Sequence, residues 1–345
     1  MDKKLTAILY ALLAAAFYAA NVPVSKLLLT RIDPTFMAAL LYLGAGVGIG
    51  LMFLCNGKRE RGAKLTKQDL PYTLGMILLD IAAPILLMLG IRVGSASNAS
   101  LLGNFEIVAT TLIALCFFRE SVSGRLWIAI ALVTLASVLL SFDGADGLRF
   151  SVGSLFALGA TLCWGLENNC TSKISGKSAY EIVILKGFCS GGGSFLIALA
   201  VGERLPRLSD SLCALALGFV SYGLSVFLYV RAQNGIGAAK TSAYYAVAPF
   251  IGVFLSFLFL GERLTPRFFI ALCVMAVGTV FVVLDTLARR HTHAHSHTFA
   301  HFHDGTFHTH TITHTHAHEH YGWKERHNRH HSIAELEREL LKSHS

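Results

Sequence analysis

The chain has 345 residues, of which 54% are hydrophobic and 14% charged, and its mean hydropathy of +0.56 excludes an ordinary soluble domain. A net charge of +8 would suit nucleic acid, but the basic residues sit in short stretches between apolar runs and read as topology signals, so no nucleic-acid partner is expected. Seven cysteines lie in or beside apolar stretches with no CxxC pair, which speaks against a disulfide framework or thiolate zinc site and leaves them as small packing residues.

A bilayer core of ~30 Å needs about 20 apolar residues in a helix, and ten such stretches follow in chain order. They run 5–28, 35–55, 72–90, 97–118, 125–142, 151–171, 180–201, 211–230, 238–260 and 267–287. The first has the basic start and apolar run of a signal peptide but no clean cleavage site, so we read it as an uncleaved helix. With the N-terminus in the cytoplasm, inner connections hold fifteen Lys and Arg against eight outside. Positive-inside counting therefore expects an inner-membrane or cell-membrane protein with both termini cytoplasmic.

The chain repeats itself. Residues 94–143 align without gaps on 236–285, matching Glu120, Arg125 and Asp143 with Glu262, Arg267 and Asp285. Residues 17–26, "FYAANVPVSK", align with 164–173, "WGLENNCTSK", pairing Asn21 with Asn168. Five spans per half is odd, so the second half crosses in the opposite sense. Such inverted repeats are an architecture of alternating-access transporters, with the binding site near the midplane. The expected fold is all-α, a polytopic membrane protein of ten helices in two inverted five-helix repeats, 1–146 and 147–290. A His-rich tail, 291–331, and a short amphipathic helix, 332–345, follow.

The paired halves, the opening "LCWGLENN" and the span ends "LIALCFFRE" and "FLSFLFLGERLTP" resemble the EamA-type drug/metabolite transporter family, a subgroup of which carries a His-rich C-terminal tail. That resemblance implies ten helices, inside termini and secondary transport, often export, of small organic solutes. The sequence departs from the family pattern in the fourth span. The ninth span carries Pro249 near mid-membrane, whereas the fourth reads "NFEIVAT", with Glu106 and no proline.

Ionisable residues near the bilayer centre are costly and tend to face a bundle interior. Asp80, ninth in the third span, and Glu106, tenth in the fourth, are the leading candidates, as a carboxylate pair able to hold a proton or meet a cation. Glu167 and Lys186 lie at similar depth in the sixth and seventh spans and would form an ion pair, either a gate or a static brace. Asn168 and Asn169 would bind substrate or simply join helices. Tyr222, which the repeat pairs with Asp80, and Tyr244 and Tyr245 would line the cavity. Glu120 and Glu262, at span ends, read as structural, and "GFCSGGGS" (187–194) as a close-packing stretch.

All sixteen histidines follow residue 290. His291, His293, His295, His297, His301, His303, His308, His310, His314, His316, His318 and His320 alternate in H-x-H patterns that present imidazoles on one side of an extended strand. They are expected to bind Zn, Ni, Co or Cu loosely, with no required cofactor; a solvated or pH-responsive tail is the plainer reading. After them, Ser332 and Glu335 form a capping-box pattern before a short apolar stripe. Three functions remain open from sequence: a proton-coupled metabolite exporter with a metal-binding tail, a divalent-metal exporter, and a non-transporting membrane metal sensor. No phosphate loop, nucleotide fingerprint or nucleophile constellation is present, so no enzyme is expected. The expected partners are the lipid bilayer and a small-molecule or ion substrate, with a homodimer as a permitted assembly.

Overall fold

The computed structural model describes residues 3–56, 65–118, 123–143, 149–174, 177–236, 241, 244–262, 264–287, 289–303 and 306–320. It separates into one unit spanning Met1–Asp285 and a second spanning Thr286–Ser345.

The first unit is helical and follows the expected ten stretches. Seven helices among the described residues are long and apolar enough to cross a membrane, from Lys4–Leu28 to Pro266–Asp285. Gly124–Leu140 and Ala248–Leu260 are shorter apolar helices. The sixth span, Val152–Ile174, is long enough but carries Glu167, Asn168 and Asn169, which is why composition alone underrates it. Leu54, Phe117 and Leu196 are each at least two-thirds exposed, as lipid-facing side chains should be.

Among the described residues, three spans carry a local irregular turn. The first turns at Ala20, between Lys3–Ala19 and Asn21–Leu28; the fourth breaks at 103–104, between Ala96–Leu102 and Phe105–Phe118. The ninth breaks at 246–247, just before the helix Ala248–Leu260. The last two breaks fall at nearly equivalent places in the two repeats, so the missing proline of the fourth span does not keep it continuous. Interrupted helices at repeat-related positions are where transporters of this architecture build their sites.

The two halves meet around the second span, Pro34–Asn56. A Cβ on Gly44 would lie 2.1 Å from the Leu215 carbonyl oxygen, and one on Gly218 would lie 2.1 Å from that of Leu41. One on Gly187 would lie 2.3 Å from the Gly46 Cα. Backbones this close admit only glycine and gain contact without a hydrophobic driving force, which lipid does not supply. The seventh and eighth spans each widen into a π-helical segment beside this contact, at Lys186–Ser190 and Phe219–Leu224.

One end of the bundle is fastened across the halves by carboxylates at helix starts. Glu262 accepts from the Ser95 hydroxyl at 2.8 Å and from the backbone N–H groups of Ala96 at 2.7 Å and Ser97 at 2.8 Å. Glu203 does the same for Thr35 and Phe36, at 3.0 and 2.8 Å. Free N–H groups and the positive end of the helix dipole make these favourable anion positions. Lys26 supplies the converse, donating to the carbonyls of Ile91 and Gly94, at 2.5 and 2.7 Å, where the third span ends. Glu120 lies outside the described residues.

One expectation is corrected. Cys55, Cys116, Cys189, Cys213 and Cys273 are exposed rather than packed inside; a thiol is apolar enough to face lipid. The spans are all-α as expected, and the described backbone of the tail, read from sequence as a His-rich low-complexity segment, forms an antiparallel hairpin of Arg289–His303 with Thr306–His320. Its register sets His291 opposite His318, His293 opposite His316, His295 opposite His314 and His301 opposite His308. Alternating Thr and His favour strand over helix. The helix expected at 332–345 lies outside the described residues.

Burial alone would raise the Glu262 carboxyl, but the donors of Ser97, Ala96 and Ser95 outweigh it and hold that carboxyl below the ordinary glutamate range. A depressed carboxyl stabilises fully above its unfolded value and loses that contribution as pH falls through its folded value. Thermal unfolding in detergent should therefore show Glu262→Gln destabilised by about 1–3 kcal/mol near neutrality, with the gap to wild type closing below about pH 4.

Candidate functional site

The site grows from the sixth span. At 3.6 residues per turn, consecutive side chains diverge by ~100°, so Glu167 and Asn168 address different neighbours. Glu167 reaches the seventh span, where its Oε1 lies 2.5 Å from the Lys186 ammonium, and it also accepts from the Thr171 hydroxyl. Asn168 reaches the fourth span, donating to Glu106 Oε1 at 2.7 Å and to the Thr110 hydroxyl at 3.3 Å. Asn169 donates to the backbone carbonyls of Thr110, at 3.1 Å, and Gly165, at 2.8 Å. Gly165 permits this meeting, since a Cβ there would lie 2.6 Å from that of Ala109.

Glu106 lies in the first turn of Phe105–Phe118, directly after the break. The N–H groups of Gly103, Asn104, Glu106 and Ile107 bond the carbonyls of Ser100, Leu101, Gly103 and Asn104 at 3.2 Å each, so the ladder tightens to i→i−3 pairing at this turn. Its second oxygen, Oε2, makes no hydrogen bond among the described residues, and it is not sealed as a buried unpaired atom either. Glu106 is only half-buried.

Asp80 is 1% exposed. One carboxylate oxygen accepts from the Tyr42 hydroxyl at 2.9 Å. The other stands 3.2 Å from Lys186 Nζ as an ion pair outside hydrogen-bonding angles. The ammonium therefore sits between Asp80 of the first half and Glu167 of the second. It keeps 21% of its side chain accessible, and its place as the first residue of a π-helical segment fits the tendency of such segments to mark functional positions.

Tyrosines complete the surroundings. Asn21 donates to the Tyr222 hydroxyl at 3.1 Å and is itself fixed by Ser25. The Tyr222 ring lies 5.3 Å from that of Tyr42 and 6.0 Å from that of Tyr18. The Tyr18 ring lies 5.9 Å from that of Tyr245, whose hydroxyl is 3.4 Å from that of Ser225. Tyr18, Tyr222 and Tyr245 are all within electrostatic reach of Glu106. Each is half-buried.

Asp80, Glu106, Glu167, Asn168, Asn169, Lys186, Tyr222 and Tyr245 thus converge. Two expectations differ from this geometry. Asp80 and Glu106 are not a direct carboxylate pair, because Lys186 claims Asp80 and Asn168 claims Glu106. Tyr244 is 38% exposed and turns away from the cluster, since one residue of helix separates it from inward-facing Tyr245. Tyr18, Tyr42 and Thr110 escape the sequence reading. Asn21 carried a signal, its repeat pairing with Asn168. Among the described residues no group of three His, Cys, Asp or Glu side chains is arranged to hold a metal; the tail histidine side chains lie outside that description.

The comparisons with known proteins bear on the family and the fold. The model of the EamA-like transporter family matches residues 5–142 and 151–284, one match for each half. An uncharacterized transporter of Methanothermobacter thermautotrophicus is 25% identical over 290 residues, covering 78% of this chain and 83% of its own. A solved crystal structure, described only as that of a protein, shares the fold with a TM-score of 0.58 at 15% identity, over 83% of this chain and 97% of its own. The chain is a multi-pass membrane transporter and belongs to the EamA-like transporter family.

Proposed function

We propose that the protein moves a small metabolite by alternating access, outward and in exchange for protons, with both termini in the cytoplasm and a tail that binds transition-metal ions. One observation carries the reading: the acid contacts across the centre pair a carboxylate of the first half with a donor of the second. Asp80 meets Lys186 and Glu106 meets Asn168. Protonating Asp80 removes one attraction between the halves, and protonating Glu106 weakens the other. Lys186 meanwhile keeps Glu167, a partner in its own half, so the halves separate without stranding a bare ammonium, which would cost several kcal/mol. Proton occupancy and the meeting of the halves are thereby linked.

The divalent-metal exporter has less support, because Asp80 already faces an ammonium and no histidine lies within the spans. For the tail, directly opposed residues of an antiparallel pair have Cβ atoms ~4.5–5.5 Å apart, so the opposed His–His positions suit shared ligation of Zn, Ni, Co or Cu. An isolated hairpin is marginal in water, so ion binding would be coupled to its formation.

Glu106→Gln keeps an acceptor for Asn168 but no titratable proton. In proteoliposomes screened with a metabolite panel and an internal pH dye, it should lower gradient-driven flux at least about tenfold while solute exchange at equal pH survives. Unchanged coupled flux would remove Glu106 from the coupling step. Lys186→Met strands two carboxylates and should destabilise by about 3–5 kcal/mol, with Asp80→Asn in the same chain restoring part of the loss; thermal unfolding of the four proteins checks this. Deleting 291–345 should leave metabolite flux intact and abolish Zn binding by calorimetry.

A further inference from the structure

Of the sixteen histidines, twelve fall in the two strands of the tail hairpin. Alternation alone places the histidines of one strand on one face. Whether the two strands share that face depends on register, because a slip of one residue sends every position of a strand to the opposite side. The register pairs odd-numbered positions of Arg289–His303 with even-numbered positions of Thr306–His320. All twelve histidines therefore occupy one face, and the other, built mainly of Thr, Ser and Ala, holds none. The histidine face is itself divided. Three consecutive rungs pair His291 with His318, His293 with His316 and His295 with His314. The next two pair His297 with Ile312 and Phe299 with His310, and only then does His301 stand opposite His308.

Opposed positions have Cβ atoms ~4.5–5.5 Å apart, and neighbouring rungs of one face are ~6.5–7 Å apart along the strand. Two adjacent histidine rungs thus place four imidazoles at the corners of a small rectangle, and four nitrogens are what tetrahedral Zn or square-planar Cu takes. Beyond the interruption, His303 follows His301 on one strand and His310 follows His308 on the other, so four more positions surround the rung of His301 and His308. We propose that the hairpin holds two separate transition-metal centres, one on the rungs of His291, His293 and His295 and one around the rung of His301 and His308, spaced by the rungs that carry Ile312 and Phe299. This rests on the metal-binding reading of the tail above and gives that binding its number, place and spacing. An ion held by both strands also fixes their register, as a buried apolar face does in other sheets, and its binding is coupled to formation of the hairpin. From the middle rung of the first group to the rung of His301, the strand rises about 27 Å. Use of only two of the three rungs in the first group moves that separation within about 23–30 Å.

The test uses the full chain in detergent, loaded with Cu(II) at two ions per chain. Pulsed dipolar EPR reads the copper–copper separation, and calorimetry reads Cu(II) and Zn affinity. The wild-type chain should give a separation within about 23–30 Å, and the chain lacking 291–345 should give none. His301→Gln together with His308→Gln should abolish the separation while one ion still binds. Exchanging neighbours at constant composition, His314→Thr with Thr315→His and His316→Ala with Ala317→His, carries two imidazoles to the other face. That variant should bind at the first centre at least about tenfold more weakly, although its histidine count is unchanged. Bound copper with no resolved separation, a separation outside the stated range, the same separation without the tail, or wild-type affinity in the exchange variant would overturn the two-centre hairpin. Each of the first, second and fourth outcomes leaves a tail that binds metal loosely. Failure of the full chain to bind either ion would remove the metal-binding reading itself.

Discussion

The Lys186 ammonium, held between Asp80 and Glu167 in a low-dielectric interior, is the constraint from which the site follows. A charge in this setting is tolerated only with close partners, so the third, sixth and seventh spans must meet at one depth. Tyr42 donates to the other oxygen of Asp80, and Thr171 donates to the same Glu167 oxygen that Lys186 meets. Glu106 differs from both: among the described residues it receives an amide, from Asn168, and no ammonium.

Glycine makes the meeting possible. Gly46 and Gly187 let the second and seventh spans touch backbone to backbone one residue from Lys186, and Gly165 brings Asn168 within reach of Glu106. Helix interruption does the complementary work. The irregular turn at 103–104 tightens the ladder to i→i−3 pairing, in which the Glu106 N–H bonds the Gly103 carbonyl, and the helix Phe105–Phe118 begins beside that carboxylate. At the bundle end, Glu203, Glu262 and Lys26 fasten helix termini of one half to residues of the other or to its neighbour. Close packing and terminal capping are thus the two means by which the described helices hold a polar centre without a driving force from lipid.

The chain divides its chemistry between two units. The spans work with carboxylates, one lysine, asparagines and tyrosines, and the tail alone carries imidazole. The tail's strict alternation is a strand pattern, and its described backbone follows it into a hairpin with histidine opposite histidine at four rungs.

The sequence by itself determined the number of spans, the division into two inverted halves and the convergence of Glu167 with Lys186, because hydrophobic length, repeat spacing and depth along a helix are all written in one dimension. Depth also marked Asp80 and Glu106 as interior groups. Rotation about each helix axis is not written there, and only the tertiary structure decided it: it separated Asp80 from Glu106, turned Tyr245 in and Tyr244 out, and brought Tyr18 and Tyr42 to the site. The two π-helical segments and the break after Leu102 shift that rotation midway along a helix. They arise from packing between the halves, which no single span's residues specify.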